Sequence, residues 1–361
     1  MFEQLGLGDI GPREASVLFA LVLGLAFGLL AEPTRFCFRR AVAGPAGERR
    51  SAAGLWLFAL GVALIATQAA ALSGLISFEG HRFQTSALPV LAIVAGGLLF
   101  GIGMVLTRGC ITRLTILTAT GNLRALTVMA IFAITAHAAM KGVLAPLRTT
   151  LSAYTLDTGI SGFDALPGGA LVWTLVLAVP ALAYGLFAGL RPLTLIAGAL
   201  IGLIVAAGWV GTGFVLYDDF DPIAFESLAF TAPVADSLFY LIASTAVEPT
   251  FGAGIVAGVL GGALVASLIG RRFQWQGFES PAQMGRYLTG GVFMGFGGVL
   301  AGGCTIGAGL AGIPTLGFAA ALALVAIAAG GAVAARLIDQ PSGLGSGYAG
   351  SQDTQSVLPA E

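Results

Sequence analysis

The stretch Gly96-Gly97-Leu98-Leu99-Phe100-Gly101-Ile102-Gly103-Met104-Val105-Leu106-Thr107-Arg108-Gly109-Cys110 aligns without a gap on Gly290-Gly291-Val292-Phe293-Met294-Gly295-Phe296-Gly297-Gly298-Val299-Leu300-Ala301-Gly302-Gly303-Cys304. The copies lie 194 residues apart, and every glycine of the first, together with its cysteine, has a counterpart in the second. Small residues spaced four apart, such as Gly97/Gly101 and Gly291/Gly295, let apolar helices approach closely. Packing alone accounts for the glycines, but not for the matched cysteines.

Both copies sit in a chain built for a bilayer. Of its 361 residues 57% are hydrophobic and 10% charged, where a soluble domain carries roughly 25% charged residues, and the mean hydropathy is +0.93. Nine apolar runs reach the ~20 residues that cross a bilayer core as helix: 16–36, 53–77, 87–107, 124–146, 169–190, 193–217, 251–270, 286–302 and 316–338. Shorter apolar pieces at 110–120, 234–248 and 304–313 are expected to be re-entrant or interfacial. The fold class is therefore an all-α integral membrane protein, nine transmembrane helices plus short re-entrant half-helices. Residues 1–338 form one membrane domain, and 339–361, rich in Gly, Ser and Gln, read as a disordered cytoplasmic tail. Residues 1–15, with Glu3, Asp9 and Glu14 against Arg13, lack the basic flank and cleavage site of a signal peptide, so the first run reads as a permanent span.

Orientation follows from the basic residues. With the N-terminus outside, thirteen of the 17 basic residues fall on the inner side, whereas the outer loop with Asp218, Asp219, Asp221 and Glu226 has none. The positive-inside rule favours N-out, C-in. The first glycine-cysteine copy then runs outward to inward and the second inward to outward, so the repeats are inverted. A weaker echo sets Gly24 and Gly28 on Gly198 and Gly202. Two halves, about 16–146 and 193–338, are joined by the span 169–190 around a central path, an arrangement that marks transporters and channels.

Composition excludes other classes. A net charge of −1 leaves no basic face for nucleic acid. Two histidines, and three cysteines without C-x-x-C spacing, argue against a metal cluster or disulfide framework, and no cofactor is expected. Gly307-Ala308-Gly309-Leu310-Ala311-Gly312 matches G-x-G-x-x-G but lacks the surrounding strand and βαβ unit of a dinucleotide site.

The candidate site residues gather at the interruptions. Cys110 and Cys304 follow Gly109 and Gly303 and open short helical pieces, Cys304 leading directly into Thr305, where free backbone N–H groups favour anions. A thiol is a soft, weak partner suited to polarisable sulfur. Cys37, in Thr34-Arg35-Phe36-Cys37-Phe38-Arg39-Arg40, has no symmetry mate and reads equally as packing. Arg108 and Arg113 flank Cys110 and read as anchors at the inner interface. Lys141 either snorkels outward or meets an anion. Glu248 reads as a helix-end cap.

These blocks resemble the YeeE/YedE family of membrane proteins: Arg35-Phe36-Cys37-Phe38, the Gly101 to Arg113 segment with Cys110, and the Gly291 to Gly307 segment with Cys304, within a likeness running from Phe27 to about Ile338. Members of that family include thiosulfate importers. The resemblance implies that Cys37, Cys110 and Cys304 line an hourglass-shaped path and pass thiosulfate by S–H···S hydrogen bonds; from the residues themselves, Gly109, Gly303, Thr305, Arg113 and Lys141 are the expected substrate contacts beside them. The chain departs from the family's usual pattern at Ala308, where relatives often carry a polar residue. The resemblance further implies a bacterial inner-membrane importer without enzymatic chemistry, served by a separate TusA-like cytoplasmic sulfurtransferase. Rival readings are a membrane sulfurtransferase carrying a persulfide, a transporter of another sulfur or selenium species, and a structural protein whose cysteines only pack.

Overall fold

The computed structural model describes residues 11–218 and 221–338; Glu3, Asp9, Asp219 and the 339–361 tail lie outside the described residues. Thirteen α-helices follow in order: α1 Pro12–Ala31, α2 Phe38–Ala43, α3 Ala46–Leu72, α4 Val90–Leu106, α5 Ile111–Ala119, α6 Leu123–Lys141, α7 Ala145–Ser152, α8 Gly169–Leu186, α9 Pro192–Val210, α10 Thr231–Ile242, α11 Phe251–Ile269, α12 Pro281–Leu300 and α13 Phe318–Ile338. Among the described residues nine segments are long and apolar enough to cross a membrane, and they coincide with the nine expected spans; α5 continues the span of α4, and a π-helical turn, Thr305–Leu310, continues that of α12. Their starts are chemically marked. Pro12, Pro192 and Pro281 occupy first-turn positions where no N–H is needed, and Asn122, Thr250 and Ser280 accept from the free amides of Ala125, Ala253 and Gln283.

The three short pieces take different forms. The first is the expected short helix, α5. The second is α10, which ends at Ile242, earlier than expected, and Thr250 caps the start of α11. Glu248 is thus not a cap: it accepts from Arg13 at 3.1 Å in an exposed ion pair. The third is the π-helical turn, followed by a 3₁₀ turn at Ile313–Thr315.

Packing is crossed between the two halves of the chain. Helix α1 lies along α11 and α9 along α3, while α4 lies along α13 and α12 along α6. The two glycine-cysteine segments also meet directly, Gly96 against Gly297 and Gly103 against Gly290, so closely that a Cβ at Gly297 would stand 2.6 Å from the Gly96 carbonyl oxygen. Gly28 faces α11 and Gly202 faces α3 in the same manner, each with only 2.5 Å between an added Cβ and a carbonyl oxygen. Helix α8 packs mainly on α3 and leaves most of its apolar surface, including Leu171, Leu175, Val179 and Leu186, exposed, as a lipid-facing helix does.

The bundle has two differently built ends. At one, here called the upper end, the loops 73–89 and 153–168 are tied together by a two-stranded antiparallel ribbon, β1 Ala87–Leu88 with β2 Leu156–Asp157. The lower end carries Arg35, Arg39, Arg40, Arg49, Arg50, Arg271 and Arg272. It is laced by Arg272 to Glu32 at 2.5 Å and by Asn122 and Arg124 to Gln276.

Gly28→Val should destabilise the α1/α11 contact by about 1–3 kcal/mol through overpacking, read as a lower Tm of the detergent-solubilised protein. Gly47→Ala, with open space around the new Cβ, should leave Tm unchanged; equal effects of the two changes would contradict the packing argument.

Candidate functional site

Three helices break in the same way. Beyond α1, Arg35 takes φ 50°; beyond α4, Arg108 takes φ 58°; beyond α12, Gly302 takes φ 74°. This left-handed conformation ends a helix and turns the chain, and it costs a non-glycine residue roughly 1 kcal/mol. One residue further on comes Phe36, Gly109 or Gly303, and then a cysteine at the N-cap of the next helical piece: Cys37 for α2, Cys110 for α5 and Cys304 for the π-helical turn. Cys37, which has no partner in the repeat, is therefore set by the same backbone device as the matched pair.

All three are buried free thiols. Cys304 Sγ accepts from the Gly307 amide at 3.4 Å; Cys37 and Cys110 turn toward the amides of Arg40 and Arg113, the third residues of α2 and α5, without closing a capping hydrogen bond. Cys110 is the middle member. Its thiol is coupled electrostatically to Cys37 and to Thr305, next to Cys304. Gly303 has no room for a side chain, since a Cβ would stand 2.8 Å from the Ala308 amide nitrogen. At Gly109 the nearest atom would be an ordinary 3.4 Å away, on Leu114, and its carbonyl is held by the Thr107 hydroxyl at 2.9 Å.

Arg113 is half-buried; its Nη1 reaches neither solvent nor a hydrogen-bonding partner, and its charge acts on Cys37. Glu32, Arg35 and Arg40 of the lower end are its other electrostatic neighbours. Lys141 lies elsewhere. It ends α6 with an exposed side chain and acts on Asp236 of α10.

Above Cys304 opens a cavity of about 640 Å³, lined by His81 and Arg82 of the 73–89 loop, Trp209 of α9, Glu226 and Ser227 of the 216–230 loop, Thr231 of α10, and Gly303. Its wall is aromatic: Phe78, Trp209 and Phe225 pack with centroids 4.9–5.4 Å apart, and His81 joins them. Arg82 lies over the Phe83 ring, 4.8 Å from its centroid, and is coupled electrostatically to Glu226 and Cys304. Burial, aided by Arg82, pulls His81 down to about 4, so it is neutral at pH 7. Burial pushes the Glu226 carboxyl up to about 7 against the pull of Arg82. Sequence reading counted Arg82 and Glu226 only as loop charges. They are far apart in the chain, and no spacing announces their meeting.

The segment beyond Cys304 is fastened from outside itself. Gln68 of α3 donates to the Pro314 carbonyl at 2.6 Å, and the Trp209 indole donates to the Ala311 carbonyl at 3.2 Å.

A bundle that encloses thiols beneath a cavity open at one end, in helices long enough to cross a bilayer, is arranged to pass a solute; its class is a multi-pass membrane transporter. The chain belongs to the sulphur transport family, whose model matches residues 33–333. It is 25% identical over 320 residues to the thiosulfate transporter TsuA of Escherichia coli (strain K12), covering 81% of this chain and 86% of that protein. It is 24% identical over 343 residues to a thiosulfate transporter TsuA of Spirochaeta thermophila, covering 84% of this chain and 94% of that protein. The chain is a membrane transporter of sulfur compounds.

Gln68→Leu should free the Pro314 carbonyl and raise amide hydrogen exchange in residues 305–316 by about fivefold, the effect of one hydrogen bond of ~1 kcal/mol. Unchanged exchange there would show that the segment is held by other contacts.

Proposed function

We propose that the chain imports thiosulfate across a bacterial inner membrane, passing the ion from thiol to thiol. The observation that carries this reading is the succession Cys304–Thr305, Cys110, Cys37, Arg113, in which Cys110 interacts with both Thr305 and Cys37, and Cys37 feels the Arg113 charge. The upper cavity is the entrance and lies outside, in keeping with an N-out, C-in orientation that puts the arginine-rich lower end in the cytoplasm. The crossed pairing of helices and the reciprocal contacts of Gly96 with Gly297 and Gly103 with Gly290 support two inverted halves, about 16–146 and 193–338, related by a pseudo-two-fold in the membrane plane.

In this scheme the ion leaves the cavity at Gly303 and meets Cys304 first. Neutral thiols donate weak S–H···S and S–H···O bonds to it, replacing part of its hydration, while a thiolate would repel it. Each station binds weakly enough to release to the next. Arg113, half-buried and with an unused donor, draws the ion past Cys37 toward the lower end. Lys141 acts at the rim of the entrance. No bond to sulfur is made or broken in the chain, and a separate TusA-like sulfurtransferase meets the ion in the cytoplasm.

In a sulfur-auxotrophic bacterium given thiosulfate as sole sulfur source, the parent chain should support growth. Cys110→Ala and Cys304→Ala, at matched expression, should each lower uptake by about tenfold, the effect of losing ~1.4 kcal/mol of stabilisation at one station. Uptake at the parental rate in both variants would exclude the relay, and a stable sulfur adduct on a cysteine after thiosulfate exposure would favour covalent transfer instead.

A further inference from the structure

The entrance cavity contains more chemistry than a passive funnel requires. Two of its polar side chains are already engaged: the Ser227 hydroxyl donates to the Val205 carbonyl at 2.7 Å, and the Trp209 indole to Ala311. Thr231 is different. It lines the cavity, is 7% exposed, and its Oγ1 is buried without a hydrogen-bonding partner. A buried hydroxyl left unmatched is costly unless something else completes it. The same cavity is lined by Arg82 and, on the 216–230 loop, by Glu226, which are coupled electrostatically. The Glu226 backbone is held in place by Thr212, whose Oγ1 accepts from its amide at 3.2 Å and donates to its carbonyl oxygen at 2.7 Å.

One cation beside one fixed carboxylate makes a poor receptor for a doubly charged anion. The same site with the carboxyl protonated is a good one, having a cation, a hydroxyl and a further O–H. We propose that this cavity is a proton-linked capture site, in which Arg82 and Thr231 hold thiosulfate and Glu226 takes up a proton as the anion arrives. The proposal rests on the thiosulfate reading above. The linkage is reciprocal: the anion raises the proton affinity of Glu226, and the proton raises the affinity for the anion. The sign follows. With its carboxyl near 7, Glu226 is protonated below that pH and repels the anion above it, so capture weakens as pH rises.

Other charged groups surround Glu226. His81 is neutral throughout this range and Arg82 is cationic. Glu79, an exposed residue, also lines the cavity, and Cys304, next to the lining Gly303, acts on Arg82. On α10, Asp236 is raised by burial but is offset by Lys141 and His137 of α6, and it acts on Glu226 as a like charge. Asp236 is therefore the rival titrating group.

The test is isothermal titration of the purified full chain in detergent with sodium thiosulfate, in two buffers of different ionisation enthalpy. Near pH 7 the wild type should take up as much as about half a proton per anion bound, and its affinity should fall roughly fivefold between about pH 6.5 and about pH 8. Glu226→Gln should bind with no proton uptake and no pH slope, while Asp236→Asn keeps both. Arg82→Gln and Thr231→Val should weaken binding by about tenfold. Thiosulfate binding by the wild type without buffer dependence would overturn the proposal and leave the import reading intact, as a variant-independent result; so would proton uptake that survives Glu226→Gln. Absence of thiosulfate binding at every pH would remove the substrate reading and the proposal together.

Discussion

A bilayer core offers no water to a broken helix, so each interruption must satisfy its freed backbone groups within the protein. This chain interrupts helices at Arg35, Arg108 and Gly302, in each case with a left-handed residue followed, two positions later, by a cysteine that caps the next piece. Everything that distinguishes the site depends on those breaks being tolerated. They turn three apolar helices inward, bring thiols into the interior, and create the floor of the cavity. Covering them demands close helices around them, and the glycines provide that closeness.

The close packing explains why so many glycines are needed where they are. At Gly28, Gly96, Gly202 and Gly297 an added Cβ would press on the backbone of a neighbouring helix rather than on a flexible side-chain tip. With little hydrophobic driving force between helices in lipid, such contacts supply cohesion by van der Waals packing. The result is a crossed arrangement in which helices of one half are held by helices of the other, so the Cys110 and Cys304 segments are fixed relative to one another by the shared contact of α4 with α12.

Electrostatics then divides the molecule. At the upper end Arg82, on an exposed loop, is coupled electrostatically to Glu226, a carboxyl whose charge depends on pH near neutrality. Arg113 has Glu32, Arg35 and Arg40 of the lower end among its electrostatic neighbours. The thiols and hydroxyls of the interior carry no charge when protonated, so the proposed relay would meet cations toward either end and soft, weak contacts in the middle.

The nine spans, the short pieces around them and the glycine-cysteine repeat were legible in the sequence because they rest on local properties: apolar run length, small-residue spacing, and the chemistry of helix starts. Cys110 and Cys304 could be read for the same reason, since each follows glycine at the end of an apolar run. The kinship of Cys37 with them was not legible, because Arg35 adopts the left-handed conformation that glycine usually marks. Nor was the electrostatic coupling of Arg113 to Cys37, which depends on how α2 and α5 are packed in space. The entrance was the least legible part: Arg82, Glu226 and Thr231 come from two long loops and a short helix, and only tertiary packing decides that they share one cavity. Sequence by itself thus determined which segments must be buried in lipid and where they break; the tertiary structure decided which polar groups those breaks bring together, because charge and hydrogen bonding act through space between residues that no local pattern connects.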